Sequence, residues 1–459
     1  MKQNIIYIHT HDSGKILSPY GYNVPTPALA DFTKDATIFR EAYCVGPTCS
    51  PSRAGLLTGM YPHSNGMYGL SQRGFKLHDY NQHLVHFLNQ HDYNTVLCGI
   101  QHEAGSYIDH EQGAKTIGYK QDISTDNAGL SEPELAEWDY KNAWKVKEWI
   151  ESYRDDKPFF LSYGLFSTHR KFPEKSHDNK EEIDPKYVMP PSPLADDGPI
   201  REDYAGYLRS ATWMDESFKV VINAIKDAGF YDNSIIIFTT DHGIAFPFNK
   251  CNLFDSGIAV SLIMRVAGSK MNGEEVNDLV SQVDIFPTLC DLLDVEKPDY
   301  LQGESFAKRL EEEAFRGREA VFSEINYHTA YEPARSVRTE RYKYIKYYDT
   351  SYLKINRTNI DNSISKAYYQ ENGIEQVEKP EEALYDLLFD PGEKNNVIND
   401  SAYQGIADEL REKLASHQKE TNDPILEGHF RVQEGWKINK KENYNPSSKN
   451  PDDFLKVGE

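Results

Sequence analysis

The segment from Cys49 to Gly59 holds residue types that suit a reactive group at the start of a helix. Pro51 fits the first helical turn, where the N–H that proline lacks would have no helical partner. Gly59 can end the helix in the left-handed conformation, and Arg53 lies one turn after Cys49. Because a helix N-terminus attracts negative charge, a reactive group at Cys49 would meet an anionic substrate.

Acid and imidazole side chains follow two of the predicted strands. His11 and Asp12 come directly after one apolar run, and Asp241 and His242 follow another. Ligands of open α/β sheets gather where strands end at their carboxyl side, so these four side chains should share one sheet edge, beside the helix of Cys49. The sequence therefore predicts a cation site there. Asp12, Asp241 and His242 are predicted ligands, and His11 is either a ligand or a histidine packed behind them.

Two kinds of periodicity describe the elements that hold these residues. Near-continuous apolar runs are typical of strands buried on both faces. They lie at Asn4–Ile8, Asn94–Gly99, Pro158–Gly164, Ser234–Thr239 and Val260–Val266. Helical patterns alternate with them, at Pro27–Thr33, Ser52–Thr58, Asn81–Gln90, Tyr204–Ala228 and Val276–Leu293. Alternation of strands and helices predicts an α/β domain with a largely parallel sheet.

The pattern changes after about residue 330. The remaining chain is predicted to contain a tyrosine-rich hairpin, a polar loop, a strand and an amphipathic helix, at Ser336–Tyr348, Asp361–Glu382, Ala383–Leu388 and Tyr403–Lys419. We therefore expect two domains, residues 1–330 and a smaller one at residues 331–459 that ends in an extended tail.

Composition excludes several classes of partner. The net charge of −22 argues against nucleic acid and against anionic membrane surfaces. Five cysteines without a C-x-x-C pair argue against a disulfide framework. The first twenty residues contain no run like a signal peptide, and no segment reaches the roughly 18 apolar residues of a membrane span. The sequence thus predicts a cytoplasmic protein.

The stretch from Cys49 to Gly59 resembles the signature C-x-P-S-R-x-x-x-L-T-G of type I sulfatases, in the alkaline phosphatase-like superfamily. Other stretches, His63–Leu70, Asp241–Pro247 and Arg335–Val337, are similar to the sulfamidase (heparan N-sulfatase) branch. This resemblance implies a large mixed, mostly parallel sheet flanked by helices, and a smaller C-terminal α+β domain with an antiparallel sheet. It also implies that a formylglycine-generating maturation enzyme oxidises Cys49 to Cα-formylglycine.

The resemblance also implies roles for five basic side chains. Arg53 would orient the formylglycine hydrate, while His102 and His169 would exchange protons with the reacting groups. We expect His169 to protonate the leaving atom and His102 to act as the base, although the division of these tasks stays open. Lys250, His169 and Arg335 are the predicted substrate-binding residues. The family's lysine two residues before His102 is an isoleucine here, so one sulfate-binding cation is missing.

The cation that the family binds is calcium, held by Asp-Asp and Asp-Asn pairs. This chain has His11 in place of the first aspartate and His242 in place of the asparagine. Calcium prefers oxygen ligands, whereas imidazole suits softer ions. Calcium stays the family expectation, and the two histidines also admit manganese, zinc or iron.

The leading functional hypothesis is a formylglycine-dependent sulfatase that hydrolyses a sulfate ester or sulfamate of a small sulfated sugar, with N-sulfoglucosamine as the first substrate to test. An alternative is a phosphonate monoester or phosphodiester hydrolase of the same superfamily, which the histidine at position 242 and the isoleucine at position 100 both favour. A non-catalytic binding protein with a decayed site is the alternative of another class. The sequence also allows a homodimer.

Overall fold

The computed structural model describes residues 2–105, 110–177, 183–311, 317–428 and 430–459. Eight strands form the larger sheet: β1 (Asn4–Thr10), β2 (Thr37–Tyr43), β3 (Asn94–Gly99), β4 (Gln121–Asp122), β5 (Phe159–Gly164), β6 (Ser234–Thr240), β7 (Leu262–Val266) and β8 (Glu275–Ser281). Their order is β4-β3-β5-β1-β6-β7-β2-β8. Only β7 runs antiparallel to its neighbours, β6 and β2. The sheet is therefore mixed and mostly parallel, as predicted.

Helices cover both faces of this sheet because its strands are apolar on both sides. The α-helices of the described chain are α1 (Pro27–Phe32), α2 (Cys49–Thr58), α3 (Pro62–Asn65), α4 (Leu84–Gln90), α5 (His110–Ile117), α6 (Leu135–Ser152), α7 (Gly198–Asp227), α8 (Asp255–Ile258), α9 (Ile285–Leu292), α10 (Ala307–Glu311), α11 (Ile364–Glu371) and α12 (Gln404–Glu420). Ile6 and Ile8 of β1 pack with α6 and α7. Ile5 and Tyr7, one residue out of phase, pack with α4 and α9 on the other face, as the alternation of side chains along a strand requires.

A second sheet lies in the C-terminal part of the chain. It is antiparallel and contains β9 (Val321–Tyr327), β10 (Tyr331–Arg338), β11 (Tyr342–Tyr347) and β12 (Glu382–Asp386), in the order β12-β11-β10-β9. Helix α12 packs on it through Ala407, Leu410 and Leu414. The predicted hairpin, strand and helix of this part are confirmed. The division at residues 330 and 331 stays a prediction, and β9 precedes it in the chain.

Two predicted elements are wrong in part. Val276–Leu293 is not one helix, because its first half is the edge strand β8, paired with β2, and only α9 is helical. The start of β8 alternates exposed and buried residues, which is the period of a strand. The predicted loop Asp361–Glu382 contains α11. Tyr368 and Tyr369 of that helix pack against the core of the larger sheet, and such tertiary packing stabilises a short polar helix.

None of the helices in the described part of the chain combines the length and apolar character that a membrane span requires. All five cysteines are free and buried.

Candidate active site

Two neighbouring strands deliver the predicted acid and imidazole groups to one place. Strands β1 and β6 pair in parallel, with Thr10 opposite Thr240, so the residues that follow each strand meet at the same sheet edge. The backbone N–H of Asp12 donates to Oδ1 of Asp241 at 2.8 Å. Asp12 adopts a φ of +57°, a conformation that is uncommon for residues other than glycine and is frequent at functional sites.

The carboxylates of Asp12 and Asp241 are buried beside cations. Lys250 Nζ donates to Asp12 Oδ2 at 3.0 Å, and Arg53 Nη2 donates to Asp241 Oδ2 at 3.0 Å. Burial opposes the ionisation of both carboxyls, yet the neighbouring ammonium, guanidinium and imidazole groups hold the pKa of each well below its usual value. Both acids are therefore anionic at neutral pH and available to a cation.

Cys49 is the first residue of α2, whose residues are all buried. Its Sγ lies 3.4 Å from Nε2 of His242 and 4.0 Å from Oδ1 of Asp12. Burial, and then the negative charges of Asp12 and Asp241, raise the pKa of the Cys49 thiol well above its usual value. As an unmodified thiol, Cys49 is therefore neutral and a weak nucleophile, since the thiolate is the reactive form.

The orientation of His242 suits a metal ligand. Its Nδ1 lies 2.9 Å from the carbonyl oxygen of Gly243, which only accepts, so Nδ1 carries the hydrogen. In the neutral ring the lone pair of Nε2 then faces Asp12 Oδ1 at 3.2 Å. Metal-bound histidines donate their other ring N–H in this way. The Nε2 lone pair and the carboxylate would repel each other, so their close approach is favourable when a cation lies between them and both bind it.

A wider donor set surrounds the same point. Ligand atoms of His11, Asp12, Cys49 and Asp241 lie within 4.8 Å of one another. Nδ1 of His11 is 2.9 Å from Asp12 Oδ1 and 3.1 Å from Asp241 Oδ2. The residues present therefore fit a divalent cation, with carboxylate oxygens and imidazole nitrogens as its donors. The structure brings these four residues and His242 together; we call them the inner end of the site.

His169 reaches this point on a loop that follows β5. Asp139 of α6 holds the loop from behind, because its two carboxylate oxygens accept hydrogen bonds from the backbone N–H groups of Phe166 and Ser167, each at 2.8 Å. Burial raises the pKa of Asp139 to about 7. His169 directs Nδ1 to the carbonyl of Arg170, and its Nε2 lies 3.7 Å from Asp12 Oδ2.

The inner end opens into a cavity of about 460 Å³, within the usual range of about 300–1,000 Å³ for small-molecule sites. Its lining residues are Cys49, Leu70, Gln72, Arg73, His102, Glu132, His169, Arg170, Lys171, Lys250, His328, Thr329, Asp361, Asn362, Asn445, Pro446 and Ser447. Burial and the charge of Arg53 lower the pKa of His102 well below its usual value, so its imidazole is neutral. Lys250 also pairs with Asp361, at 3.1 Å.

Arg335 is not brought to the cavity. Its guanidinium donates to both carboxylate oxygens of Asp423, at 2.7 and 2.9 Å, and to the carbonyl oxygens of Ile325 and Ala334. The side chain is 3% exposed. The structure thus gives Arg335 a partner within the C-terminal part, and it corrects the expectation that this arginine binds substrate.

Several cavity residues have no signal in the sequence. Asp361, Asn362, Asn445 and Ser447 lie in irregular segments far from Cys49 along the chain, and only the tertiary structure brings them to it. Asp139 is part of an ordinary amphipathic helix, although an aspartate on the buried face of a helix is rare enough to mark it.

Comparison with known proteins identifies the family. A family model described as Sulfatase matches residues 3–295. A second, described as N-sulphoglucosamine sulphohydrolase, C-terminal, matches residues 241–382. The chain belongs to the sulfatase family. It is a sulfuric ester hydrolase, and the family resemblance drawn from the sequence is confirmed.

One relative supports the sulfatase assignment, and two solved structures share the fold. The chain is 26% identical to N-sulphoglucosamine sulphohydrolase of Homo sapiens, over 92% of this chain and 91% of that protein. A structure solved in complex with its substrate D-glucosamine-2-N,6-O-disulfate superposes with a TM-score of 0.68 at 19% identity, covering 92% of this chain and 99% of the other. The phosphonate monoester hydrolase of Agrobacterium radiobacter gives 0.68 at 20% identity, covering 96% and 100%. The two structures show the shared fold.

Proposed function

We propose that this sulfatase is formylglycine-dependent and removes sulfate from a small N-sulfated glucosamine. The observation that carries the proposal is the position of Cys49. It begins a helix, its side chain lies among the carboxylates and imidazoles of the inner end, and it lines the cavity. A buried neutral thiol is a weak nucleophile there, whereas a modified side chain at the same position faces the substrate.

Two groups would supply chemistry that the unmodified side chains lack. Formylglycine, formed from Cys49, supplies an oxygen nucleophile through its hydrate. A divalent cation would be held by Asp12, Asp241 and His242, with His11 beside them, and would supply positive charge that favours an anionic substrate. The imidazole donors favour manganese or zinc. Because the family binds calcium, calcium should be tested as well.

The protein's own side chains bind the sulfate and move protons. Lys250 offers its ammonium at the cavity surface, and Arg53 holds Asp241 in place through a charged hydrogen bond of 3.0 Å. His169 donates its Nδ1 hydrogen to the Arg170 carbonyl, so Nε2 is the atom that takes up and releases the second proton, and the imidazolium form of His169 would give that proton to the leaving nitrogen or oxygen. His102 is a neutral imidazole at the cavity surface, which suits a base.

The substrate class follows from charge and size. The chain is strongly acidic overall, so an anionic substrate depends on the local cations Lys250, Lys171 and Arg73 around the cavity. A cavity of about 460 Å³ suits a monosaccharide or a short oligosaccharide end. We test N-sulfated glucosamine first because one relative, which matches 92% of this chain, is named N-sulphoglucosamine sulphohydrolase.

The test is a substrate panel with protein in which the Cys49 peptide has been shown by mass spectrometry to carry formylglycine. The panel contains N-, 3-O- and 6-O-sulfated glucosamine, a sulfated galactosamine, an aryl sulfate and a phosphonate monoester. We expect the highest kcat/KM with N-sulfoglucosamine. If only the phosphonate monoester is turned over, the protein is a phosphonate hydrolase. If unmodified Cys49 protein is equally active, the formylglycine mechanism is wrong.

A further inference from the structure

The C-terminal tail supplies one side of the cavity. Asn445 and Ser447 line it together with Asn362, which precedes α11, and all three side chains are exposed. Asn362 Nδ2 donates to Asn445 Oδ1 at 2.9 Å. Within the described part of the chain, the side-chain Nδ2 of Asn445 and the hydroxyl of Ser447 donate no hydrogen bond. We call Asn362, Asn445 and Ser447 the outer wall.

The outer wall is anchored from behind by Arg73, a cavity residue that follows α3 along the chain. Its guanidinium donates to the carbonyl oxygen of Lys437 at 2.8 Å, to Asn439 Oδ1 at 3.0 Å, and to the carbonyl oxygen of Pro446. Asn439 is fully buried, and its Nδ2 donates to the carbonyl oxygen of Asn445 at 3.2 Å. These bonds hold the tail segment in one conformation at the cavity.

Lys366 joins the two segments of the outer wall to each other. Its Nζ donates to the carbonyl oxygens of Ile360 and Tyr444, at 2.7 and 2.8 Å. Deeper in the tail, Ile438 is fully buried in a cluster that contains Ala54 of α2, the helix that begins at Cys49. The outer wall is therefore fixed relative to the inner end rather than free to move away from it.

The two sides of the cavity carry different chemistry. The Lys250 ammonium lines the cavity beside the inner end and suits a sulfate, whereas the outer wall presents amide and hydroxyl groups, which suit neutral donors and acceptors. We propose that the outer wall binds the hydroxyl groups of a sugar ring, and so selects sulfated sugars over other sulfate esters. This inference rests on the proposed sulfatase function. A ligand without hydroxyl groups would bury these polar atoms unpaired, which costs affinity.

The experiment compares two substrates in each variant. N-sulfoglucosamine needs both sides of the cavity, whereas 4-nitrophenyl sulfate carries a sulfate without a sugar. The variants Asn445→Ala and Ser447→Ala remove outer-wall groups. Their matched controls are Asn443→Ala and Ser448→Ala, because Asn443 donates to the Asp453 carbonyl and Ser448 to the Asp453 carboxylate, and neither lines the cavity.

We expect kcat/KM for N-sulfoglucosamine to fall about three- to tenfold in each outer-wall variant, as for the loss of one neutral hydrogen bond. The values for 4-nitrophenyl sulfate, and both values in the controls, should stay within about twofold. Equal losses on both substrates would mean that the tail only supports the fold, and unchanged sugar turnover would mean that it binds no sugar. A wild-type enzyme that hydrolyses neither sulfate would instead refute the proposed function.

Discussion

The inner end and the outer wall of the cavity are built in different ways. The inner end comes from the ends of two adjacent parallel strands and the first residue of α2, and Asp12 and Asp241 there are fully or almost fully buried. The outer wall comes from two irregular segments, held by hydrogen bonds from Arg73 and Lys366 to backbone carbonyls. A sheet thus fixes the groups that would react, and the loops supply the groups that would recognise the rest of the substrate, a common division of labour.

The Cys49→Ala variant should have the largest effect, and it should lose turnover while it keeps substrate binding. Cys49→Ala should abolish turnover of every sulfate, by about a thousandfold or more, because it removes the site of the nucleophile. The outer wall is untouched, so the variant should still bind N-sulfoglucosamine in calorimetry. Its circular dichroism and Tm serve as the control for folding. Substantial turnover by this variant would refute a nucleophile at position 49.

Removal of the cation should be the next largest effect. Chelation should stop turnover and also lower Tm, because a ligand that binds only the folded state stabilises it. The same decrease in Tm is expected for Cys49→Ala, which has no turnover to lose. Adding back calcium, manganese or zinc, with metal analysis, identifies the ion. A Tm that chelation leaves unchanged would argue against a bound cation at the inner end.

Lys250 tests the boundary between the two regions, since its ammonium contacts Asp12 and Asp361. Lys250→Met should weaken transition-state binding by about 1.5–3 kcal/mol, the value of a hydrogen bond to a charged group. The loss should be the same for N-sulfoglucosamine and 4-nitrophenyl sulfate, because both carry the sulfate. Lys250→Arg keeps the charge and should recover part of the activity. A loss confined to the sugar would assign Lys250 to sugar recognition instead.

Asp139 tests whether the loop of His169 is positioned through its backbone. In Asp139→Asn one of the two accepting oxygens becomes an N–H₂ group that faces a donor, so we expect kcat to fall about tenfold with a smaller change in KM. Asp126→Asn is the control, because Asp126 also accepts from a backbone N–H but lies on the surface. Equal kcat in wild type and Asp139→Asn would show that the loop holds its position without this carboxylate.

The same variant has a pH signature. The pKa of Asp139 is raised to about 7 in the folded protein, above the value of about 3.9 for a free aspartate. Its contribution to stability is therefore full below about pH 4 and is lost as the pH rises through about 7. The free energy of unfolding of the wild type, minus that of Asp139→Asn, should fall over this interval in urea titrations. A difference that is constant with pH would contradict the raised pKa.

Arg335 should have the smallest effect on turnover. Arg335→Met leaves the Asp423 carboxylate buried without its partner, which costs about 3–5 kcal/mol of stability, so Tm should fall. The kcat/KM of the folded fraction should stay within about twofold, because the guanidinium does not reach the cavity. A large rise in KM without a change in Tm would return Arg335 to the substrate site.

The sequence by itself determined the parts of this protein that depend on local pattern. Alternation of strands and helices indicates the α/β sheet, and ligands gather where parallel strands end, so the sequence alone places Asp12 and Asp241 at one sheet edge. The segment from Cys49 to Gly59 is short enough to be recognised directly. Periodicity is a weaker guide at the edge strand β8, because its half-exposed pattern assigns it to the helix that follows.

Only the tertiary structure decided which distant segments close the cavity. Asn445 and Asn362 meet because Lys366 and Arg73 donate hydrogen bonds to backbone carbonyls next to these two residues. Every residue has a backbone carbonyl, so no side-chain pattern in the sequence predicts these contacts. Arg335 shows the converse. The stretch around it resembles the sulfamidase branch, and Arg335 was expected to bind substrate, yet Asp423, 88 positions away, pairs with it. Which partner a buried charge finds is set by three-dimensional proximity, which a linear sequence does not record.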